Sequence, residues 1–279
     1  MSATILDGRE LAAELRAALT GEAARLTQLR GRRPQLTLVL AAEHASARVY
    51  AAQVAASCAR IGLDCVLREY PPTISETLLR AEIAVLGARG DVDGVVVLLP
   101  LPRHIRQRVV TEVLPAEKDV DGLGPSNAGR LMLGFPSYVP STADAALELL
   151  RASSIALQGK DVVVVGRGNV GGKPAGLLFL RENATVTFCH SRTPDLPAVT
   201  RQADILFVSV GRPHTITGGM AKPGAVVLDA GMTPVDGQLV GDVDFAAVRE
   251  VAGAITPVPG GLGPLTNLML IRHTLVGPS

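Results

Sequence analysis

A glycine pattern in the second half of the chain could bring the backbone within reach of a phosphate group. It reads Gly166-Arg167-Gly168-Asn169-Val170-Gly171 and has the spacing G-x-G-x-x-G. Glycines let backbone N–H groups approach a pyrophosphate at the positive end of a helix. Residues 161–165 predict a strand before it, 175–180 a helix after it and 184–188 a second strand, which completes a βαβ unit. The pattern therefore predicts dinucleotide binding, with a purely structural turn as the alternative.

The residues after the second of these strands indicate which dinucleotide fits. NAD sites usually carry Asp or Glu there, which holds the ribose 2′-hydroxyl. This chain has Cys189-His190-Ser191-Arg192-Thr193 instead, and hydroxyl and guanidinium groups suit a 2′-phosphate. We therefore predict NADP, with Ser191 and Arg192 at its 2′-phosphate. Arg167 is either a second phosphate partner or a solvated surface charge.

A loop near the C-terminus is rich in residues with special backbone properties. Residues 256–266 read Thr-Pro-Val-Pro-Gly-Gly-Leu-Gly-Pro-Leu-Thr. Proline fixes φ and glycine permits close approach to another molecule. The segment predicts a rigid loop that can lie against a flat ring, and an ordinary Pro/Gly turn is the alternative.

The elements that position these residues are predicted to be those of an α/β fold. Short apolar, β-rich runs alternate with segments of helical period in both halves, which is typical of parallel strands joined by helices. In the first half we predict helices over 11–19, 46–61 and 76–86 and strands over 36–40, 65–70 and 95–99.

Two segments of the first half are predicted to border a cleft between two lobes. The strand over 95–99 is expected to be a buried central one that ends at the cleft, where Pro100 stops it. Residues 118–138 are expected to be a loop-rich link. Ser141 can then cap a helix over 143–150 that leads into the second lobe.

The composition favours small-molecule chemistry. The chain has 279 residues, 47% hydrophobic and 19% charged, which suggests roughly two domains. With a net charge of +1, neither nucleic acid nor a membrane surface is an expected partner. We find no signal-peptide pattern and no apolar run of membrane length, so we expect a cytoplasmic protein. The three cysteines and five histidines lack metal-ligand spacing, so we expect reduced thiols and no metal site.

Seven short motifs are similar, in type and order, to those of one known family. They are Ala45-Ser46 with Tyr50, Leu99-Pro100-Leu101-Pro102, Lys118-Asp119-Val120-Asp121-Gly122, Gly166-Arg167, Cys189-His190-Ser191-Arg192-Thr193, Asp229 with Gly231, and Pro257-Val258-Pro259-Gly260-Gly261. On these residues the chain resembles the methylenetetrahydrofolate dehydrogenase/cyclohydrolase family almost from end to end. The resemblance implies a folate-binding catalytic domain over 1–140 plus 265–279 and an NADP-binding Rossmann domain over 141–264. It also implies a tetrahydrofolate derivative in the cleft, a final helix that returns to the first lobe, and a homodimer.

The resemblance further implies a reaction and a set of site residues. In the family, a hydride passes from a methylene carbon between two folate nitrogens to the nicotinamide, and the methenyl cation is then hydrolysed to 10-formyltetrahydrofolate. Tyr50 and Asp121 take the catalytic positions; Asp121 is the pterin-binding acid or, on sequence alone, a turn residue. The implied substrate positions also include Val54, Leu98, Pro100, Gly260, Gly261 and Pro264, and the cofactor positions are Gly166, Arg167, Gly168, Gly171, Ser191, Arg192, Gly231 and Met232.

Two positions depart from the family pattern together. The family has a lysine four residues after the tyrosine and a glutamine that holds it, whereas this chain has Val54 and Leu98. Valine cannot donate, accept or carry a proton. A buried glutamine without its partner would cost about 1–3 kcal/mol, but replacing both groups by apolar ones is nearly neutral. We therefore expect a repacked site with weak or lost cyclohydrolase activity and with cofactor and folate binding retained.

Three functions remain open at this point. The first is an NADP-dependent methylenetetrahydrofolate dehydrogenase with a weak or lost cyclohydrolase step. The second is a diverged oxidoreductase on the same scaffold with another substrate. The third is a non-catalytic nucleotide- or folate-binding protein. Product identification from a substrate panel separates the first two, and tight binding without turnover would indicate the third.

Overall fold

The structure is a computed structural model that describes residues 2–41 and 45–278, so His44 lies outside the described residues. Up to residue 140 the elements are β1 (Thr4–Ile5), α1 (Gly8–Arg30), β2 (Gln35–Leu40), α2 (Ala45–Ile61), β3 (Asp64–Glu69), α3 (Glu76–Ala88), β4 (Gly94–Val97), α4 (Gln107–Thr111) and α5 (Pro125–Leu133). Then follow α6 (Ser141–Ala152), β5 (Asp161–Val165), α7 (Gly172–Arg181), β6 (Thr185–Cys189), α8 (Leu196–Thr200), β7 (Ile205–Val208), a short 3₁₀ helix (Gly218–Met220), β8 (Val226–Asp229), β9 (Thr233–Val235), β10 (Gln238–Val240), α9 (Phe245–Arg249), β11 (Ala254–Ile255) and α10 (Gly263–Val276). None of the described helices combines the length and apolarity needed to cross a bilayer.

The chain forms two compact units. The six-stranded unit comprises the residues up to Ala13 and residues 141–266, and the three-stranded unit comprises 14–140 and 267–279. The sequence-based division instead assigned the first thirteen residues to the first domain. They belong to the six-stranded unit because β1 pairs in parallel with β11, with Thr4 opposite Ala254. Residues 267–279 group with 14–140, and the first four residues of α10 with the six-stranded unit.

The six-stranded unit has a parallel sheet with the order β1-β11-β8-β7-β5-β6. The four valines of β5 are all buried, as expected for an inner strand covered on both faces. The chain passes from β5 to β6 on one side and then returns to β7 on the other. Ligands of such sheets bind beyond the carboxyl ends of the strands at this change of direction. The glycine loop directly follows β5 and therefore lies at this point.

The three-stranded unit has β2 at its centre, flanked in parallel by β3 and β4. The prediction of a central strand over 95–99 is therefore wrong in position, although β4 is buried throughout. β4 ends at Val97 and occupies an outer place in the sheet. A bridge between Val95 and Asp119 covers its free side. This cover explains how an outer strand can have the uninterrupted apolar sequence of a central one.

The segment 118–138 contains a helix that the sequence analysis did not predict. α5 begins with Pro125, whose fixed φ suits a first helical position. It ends at Gly134, which has a left-handed φ of +77°. The prediction of a loop-rich link is thus wrong for the nine residues of α5.

Candidate dinucleotide and substrate sites

The glycine loop between β5 and α7 combines tight packing with one open position. Gly166 has φ +121°, and a Cβ there would lie 2.1 Å from the carbonyl oxygen of Ser209, which follows β7. A Cβ on Gly172 would lie 2.1 Å from the carbonyl oxygen of Gly166. At Gly168, by contrast, no described atom lies within 4 Å of the Cβ position. In the first turn of α7 the Lys173 N–H donates to the Gly168 carbonyl at 3.1 Å and Pro174 has no N–H, so phosphate binding here relies on the remaining loop N–H groups and stays a prediction.

Ser191 and Arg192 form the centre of a tight turn directly after β6. The Thr193 N–H donates to the His190 carbonyl at 2.8 Å, and the His190 N–H donates to Thr193 Oγ1 at 2.9 Å. The Arg192 N–H donates to His190 Nδ1 at 3.2 Å. Ser191 and Arg192 are exposed, and the N–H of the first loop glycine donates to the Cys189 carbonyl at 2.9 Å. The two predicted 2′-phosphate residues therefore adjoin the predicted pyrophosphate loop.

Two buried aspartates support the loops that follow β7 and β8. Asp229 accepts hydrogen bonds from the N–H groups of Gly231 at 2.8 Å, Asp242 at 3.0 Å and Val243 at 2.9 Å. Asp242 in turn accepts from three consecutive N–H groups, those of Val210 at 2.6 Å, Gly211 at 2.9 Å and Arg212 at 2.8 Å. Burial raises the pKa of Asp229 to about 6, against the opposing effect of its three N–H donors.

These contacts give Asp229 and Asp242 a structural role. Gly231 is buried, and a Cβ there would lie 2.4 Å from Asp242, so the glycine serves the packing of this carboxylate. Met232, the other predicted cofactor residue of this loop, is 52% exposed. The sequence analysis missed Asp242, which lies in Gly241-Asp242-Val243-Asp244 and matches no binding motif.

The Pro/Gly loop packs against the start of α1 within the six-stranded unit. The Gly8 N–H donates to the Gly260 carbonyl at 2.9 Å, and a Cβ on Gly8 would lie 2.0 Å from the Gly261 carbonyl oxygen. Gly260 has φ +121° and, like Gly261, is buried, whereas Pro264 is half-buried. Both glycines are therefore required by the protein's own packing. Contact of Gly260, Gly261 and Pro264 with a flat ring remains a prediction.

The remaining predicted substrate positions lie in the three-stranded unit. Tyr50 and Val54 are four residues apart on α2, so they share one face of the helix. Tyr50 is half-buried, whereas Val54 is 0% exposed and Leu98 is 2% exposed. The Leu98 N–H donates to the Val39 carbonyl at 2.9 Å and so extends the pairing of β4 with β2. Pro100 is exposed just beyond this strand end.

The loop that carries Asp121 is held by its neighbour Asp119. Asp119 is 3% exposed and accepts from the N–H groups of Leu123 at 3.1 Å and Gly124 at 2.8 Å. It also accepts from the amide of Asn127, on α5, at 3.0 Å. Burial raises the pKa of Asp119 to about 6. Asp119 is therefore the structural acid of this motif, and the half-buried Asp121 is the one presented beside it.

The parallel sheet and the glycine loop at its change of direction define a dinucleotide-binding α/β protein. Comparison with known families gives the rest. Residues 140–277 match the tetrahydrofolate dehydrogenase/cyclohydrolase NAD(P)-binding domain. Residues 6–121 match the catalytic domain of the same family. The chain belongs to the tetrahydrofolate dehydrogenase/cyclohydrolase family, which confirms the resemblance and the fold class predicted from the sequence.

Individual relatives match over nearly the whole chain. The bifunctional protein FolD of Geobacillus thermodenitrificans is 48% identical over 276 residues, which cover 99% of this chain and 97% of the relative. The FolD dehydrogenase/cyclohydrolase structure from Campylobacter jejuni has a TM-score of 0.95 at 35% identity and covers 99% of this chain and 98% of that one. The Trypanosoma brucei FolD structure, complexed with NADP cofactor and inhibitor, has a TM-score of 0.93 at 37% identity, with 99% and 97% covered.

Proposed function

We propose that this protein is an NADP-dependent 5,10-methylenetetrahydrofolate dehydrogenase whose cyclohydrolase activity is weak or lost. The family membership and the intact dinucleotide loop support the first part. The loss of cyclohydrolase activity is inferred from Val54 and Leu98, which are only 0% and 2% exposed. An apolar pair fills, inside the protein, the positions at which the family pattern has lysine and glutamine.

The residues of the glycine loop and the adjoining turn fit NADP. Gly168 leaves room for the pyrophosphate, and the positive end of α7 directly follows the loop. Arg192 and Ser191 are exposed and able to bind a 2′-phosphate, and Arg167 is an exposed cation within the loop. When bound, the nicotinamide supplies the hydride acceptor. The chain contributes binding and orientation to that step, so the step does not require a lysine as proton carrier.

Hydrolysis places a different demand on the site. Water that attacks the methenyl carbon must lose a proton, and a positioned acid or base typically contributes about 10²–10⁴-fold to such a step. Val54 and Leu98 have no group that can take or hold a proton. Tyr50 and Asp121, both half-buried, remain as the polar residues of the predicted substrate site. They would serve to bind and orient the folate.

The double variant Val54→Lys with Leu98→Gln tests this proposal. It should raise the rate of hydrolysis of 5,10-methenyltetrahydrofolate by about 100-fold, because it restores a proton-carrying group and its partner. Val54→Met with Leu98→Met is the matched control, since it changes the packing without adding an acid or base. Thermal unfolding and NADP⁺ binding show whether each variant is folded. A folded lysine/glutamine variant that hydrolyses no faster than the methionine control would contradict the assignment.

The apolar pair also supports a second candidate, a diverged oxidoreductase of another substrate. A site without the lysine charge would accept a less polar reacting group. Methylenetetrahydrofolate that binds without NADPH formation, together with NADPH formation from another member of a substrate panel, would favour this candidate.

We further propose that the protein is a homodimer. β6 is an outer strand of the six-stranded sheet, and Phe188 on it and Leu180 on α7 are 41% and 56% exposed, which supports a partner surface. Light scattering should give twice the chain mass of 29.0 kDa. A mass of one chain would contradict the proposal. The cytoplasmic location stays a prediction.

A further inference from the structure

His190 stands out because its ring accepts a hydrogen bond from the backbone of a residue at the predicted 2′-phosphate site. A backbone N–H can only donate, so the Arg192 N–H at 3.2 Å requires a lone pair on His190 Nδ1. The neutral ring therefore carries its proton on Nε2. This contact holds the backbone of Arg192, which with Ser191 forms the centre of the turn.

We propose that His190 is a positioning residue for NADP, which holds the Ser191–Arg192 turn in the conformation that binds the 2′-phosphate. The inference rests on the proposed function, which takes NADP as the cofactor. The turn is short and closed by three hydrogen bonds. One joins the backbones of Thr193 and His190, one runs from the His190 N–H to Thr193 Oγ1, and the His190 ring accepts the third from the Arg192 N–H. The bond that the ring accepts is the one that involves the central residue Arg192.

This contact should reduce the conformational entropy that the turn loses when NADP binds. Arg192 is exposed and has a long side chain, so its guanidinium group loses conformational freedom when it binds a phosphate. A main chain that is already fixed leaves only the side chain to be ordered. NAD has a hydroxyl at the same ribose position, so it gains little from a prearranged guanidinium group. His190 should therefore contribute to the preference for NADP over NAD.

Two substitutions at residue 190 separate the hydrogen bond from the ring. His190→Phe keeps a planar ring but removes the acceptor. His190→Asn keeps an acceptor, because an asparagine oxygen can accept from the N–H two residues later. The measurement is the Kd of NADP⁺ and of NAD⁺ by titration calorimetry, with the thermal unfolding midpoint as the test of folding.

We expect His190→Phe to weaken NADP⁺ binding by about three- to tenfold, the range expected for one lost hydrogen bond. NAD⁺ binding should change by less than about twofold, and His190→Asn should restore most of the NADP⁺ affinity. In an Arg192→Ala background the effect of His190→Phe on NADP⁺ should largely disappear, because the residue acts through Arg192.

Equal losses for both dinucleotides, no loss in His190→Phe, or an undiminished loss in the Arg192→Ala background would overturn this inference. These outcomes differ from a failure of the proposed function itself. If the proposed function is wrong, the unmodified protein itself will fail to bind NADP⁺ or to form NADPH from methylenetetrahydrofolate.

Discussion

At the scale of single residues, buried carboxylates rather than exposed ones organise the regions around the two predicted sites. Asp119 and Asp229 each lie within a predicted binding motif, and both accept hydrogen bonds from backbone N–H groups of the protein. The sequence identifies these motifs but cannot tell which acid of Asp119 and Asp121 is buried. That depends on Asn127, which lies eight residues after Asp119 and on an unpredicted helix.

The Asp229→Asn variant should change how stability depends on pH. The pKa of Asp229 rises from its ordinary value of 3.8 to about 6 in the folded chain. Between these values the folded chain binds the proton more tightly than the unfolded chain. The free energy of unfolding therefore falls as the pH rises through this window, by at most ~3 kcal/mol from this group.

Urea unfolding at a series of pH values from 4 to 7 checks this prediction. The fall in the free energy of unfolding should be smaller in Asp229→Asn than in the unmodified protein. Asp236→Asn, at an exposed loop position, is the control and should follow the unmodified curve. Identical pH dependence in all three proteins would show that Asp229 does not titrate in this way.

At the scale of elements, the βαβ unit of the glycine loop was predictable because local sequence determines most of it. The strand, the glycine spacing and the following helix are all within 161–189. The helix α5 was not predicted because its local sequence does not indicate a helix. Its first residues, Pro125-Ser126-Asn127, are typical of turns, and the burial of the polar Asn127 depends on contacts with residues outside the helix.

The glycines of the loop are predicted to differ in their tolerance of substitution. Gly166→Ala should lower the free energy of unfolding by about 1–3 kcal/mol from backbone strain alone, and the contact with Ser209 should also displace the loop and weaken NADP⁺ binding. Gly168→Ser, which adds a small side chain at an open position, should keep both stability and binding. Chemical unfolding and calorimetric titration of both variants check this. Undiminished NADP⁺ binding by Gly166→Ala would contradict the loop geometry.

At the scale of the whole molecule, two units with separate parallel sheets follow from the alternation of strands and helices in each half. α6 begins at Ser141, and the stretch 141–266 of the six-stranded unit begins at the same residue. The placement of the first thirteen residues could not be predicted. It rests on β1, a strand of two residues that is too short to show any periodicity.

The central claim is that the chain keeps the dehydrogenase step of its family and has lost the residues that support hydrolysis. The most direct test mixes the unmodified protein with NADP⁺ and 5,10-methylenetetrahydrofolate and follows NADPH, methenyl- and 10-formyltetrahydrofolate separately. We predict that NADPH and the methenyl product form together, while the formyl product appears no faster than in the absence of protein. Rapid protein-dependent formation of 10-formyltetrahydrofolate would contradict the account of Val54 and Leu98, and an absence of NADPH would contradict the dehydrogenase itself.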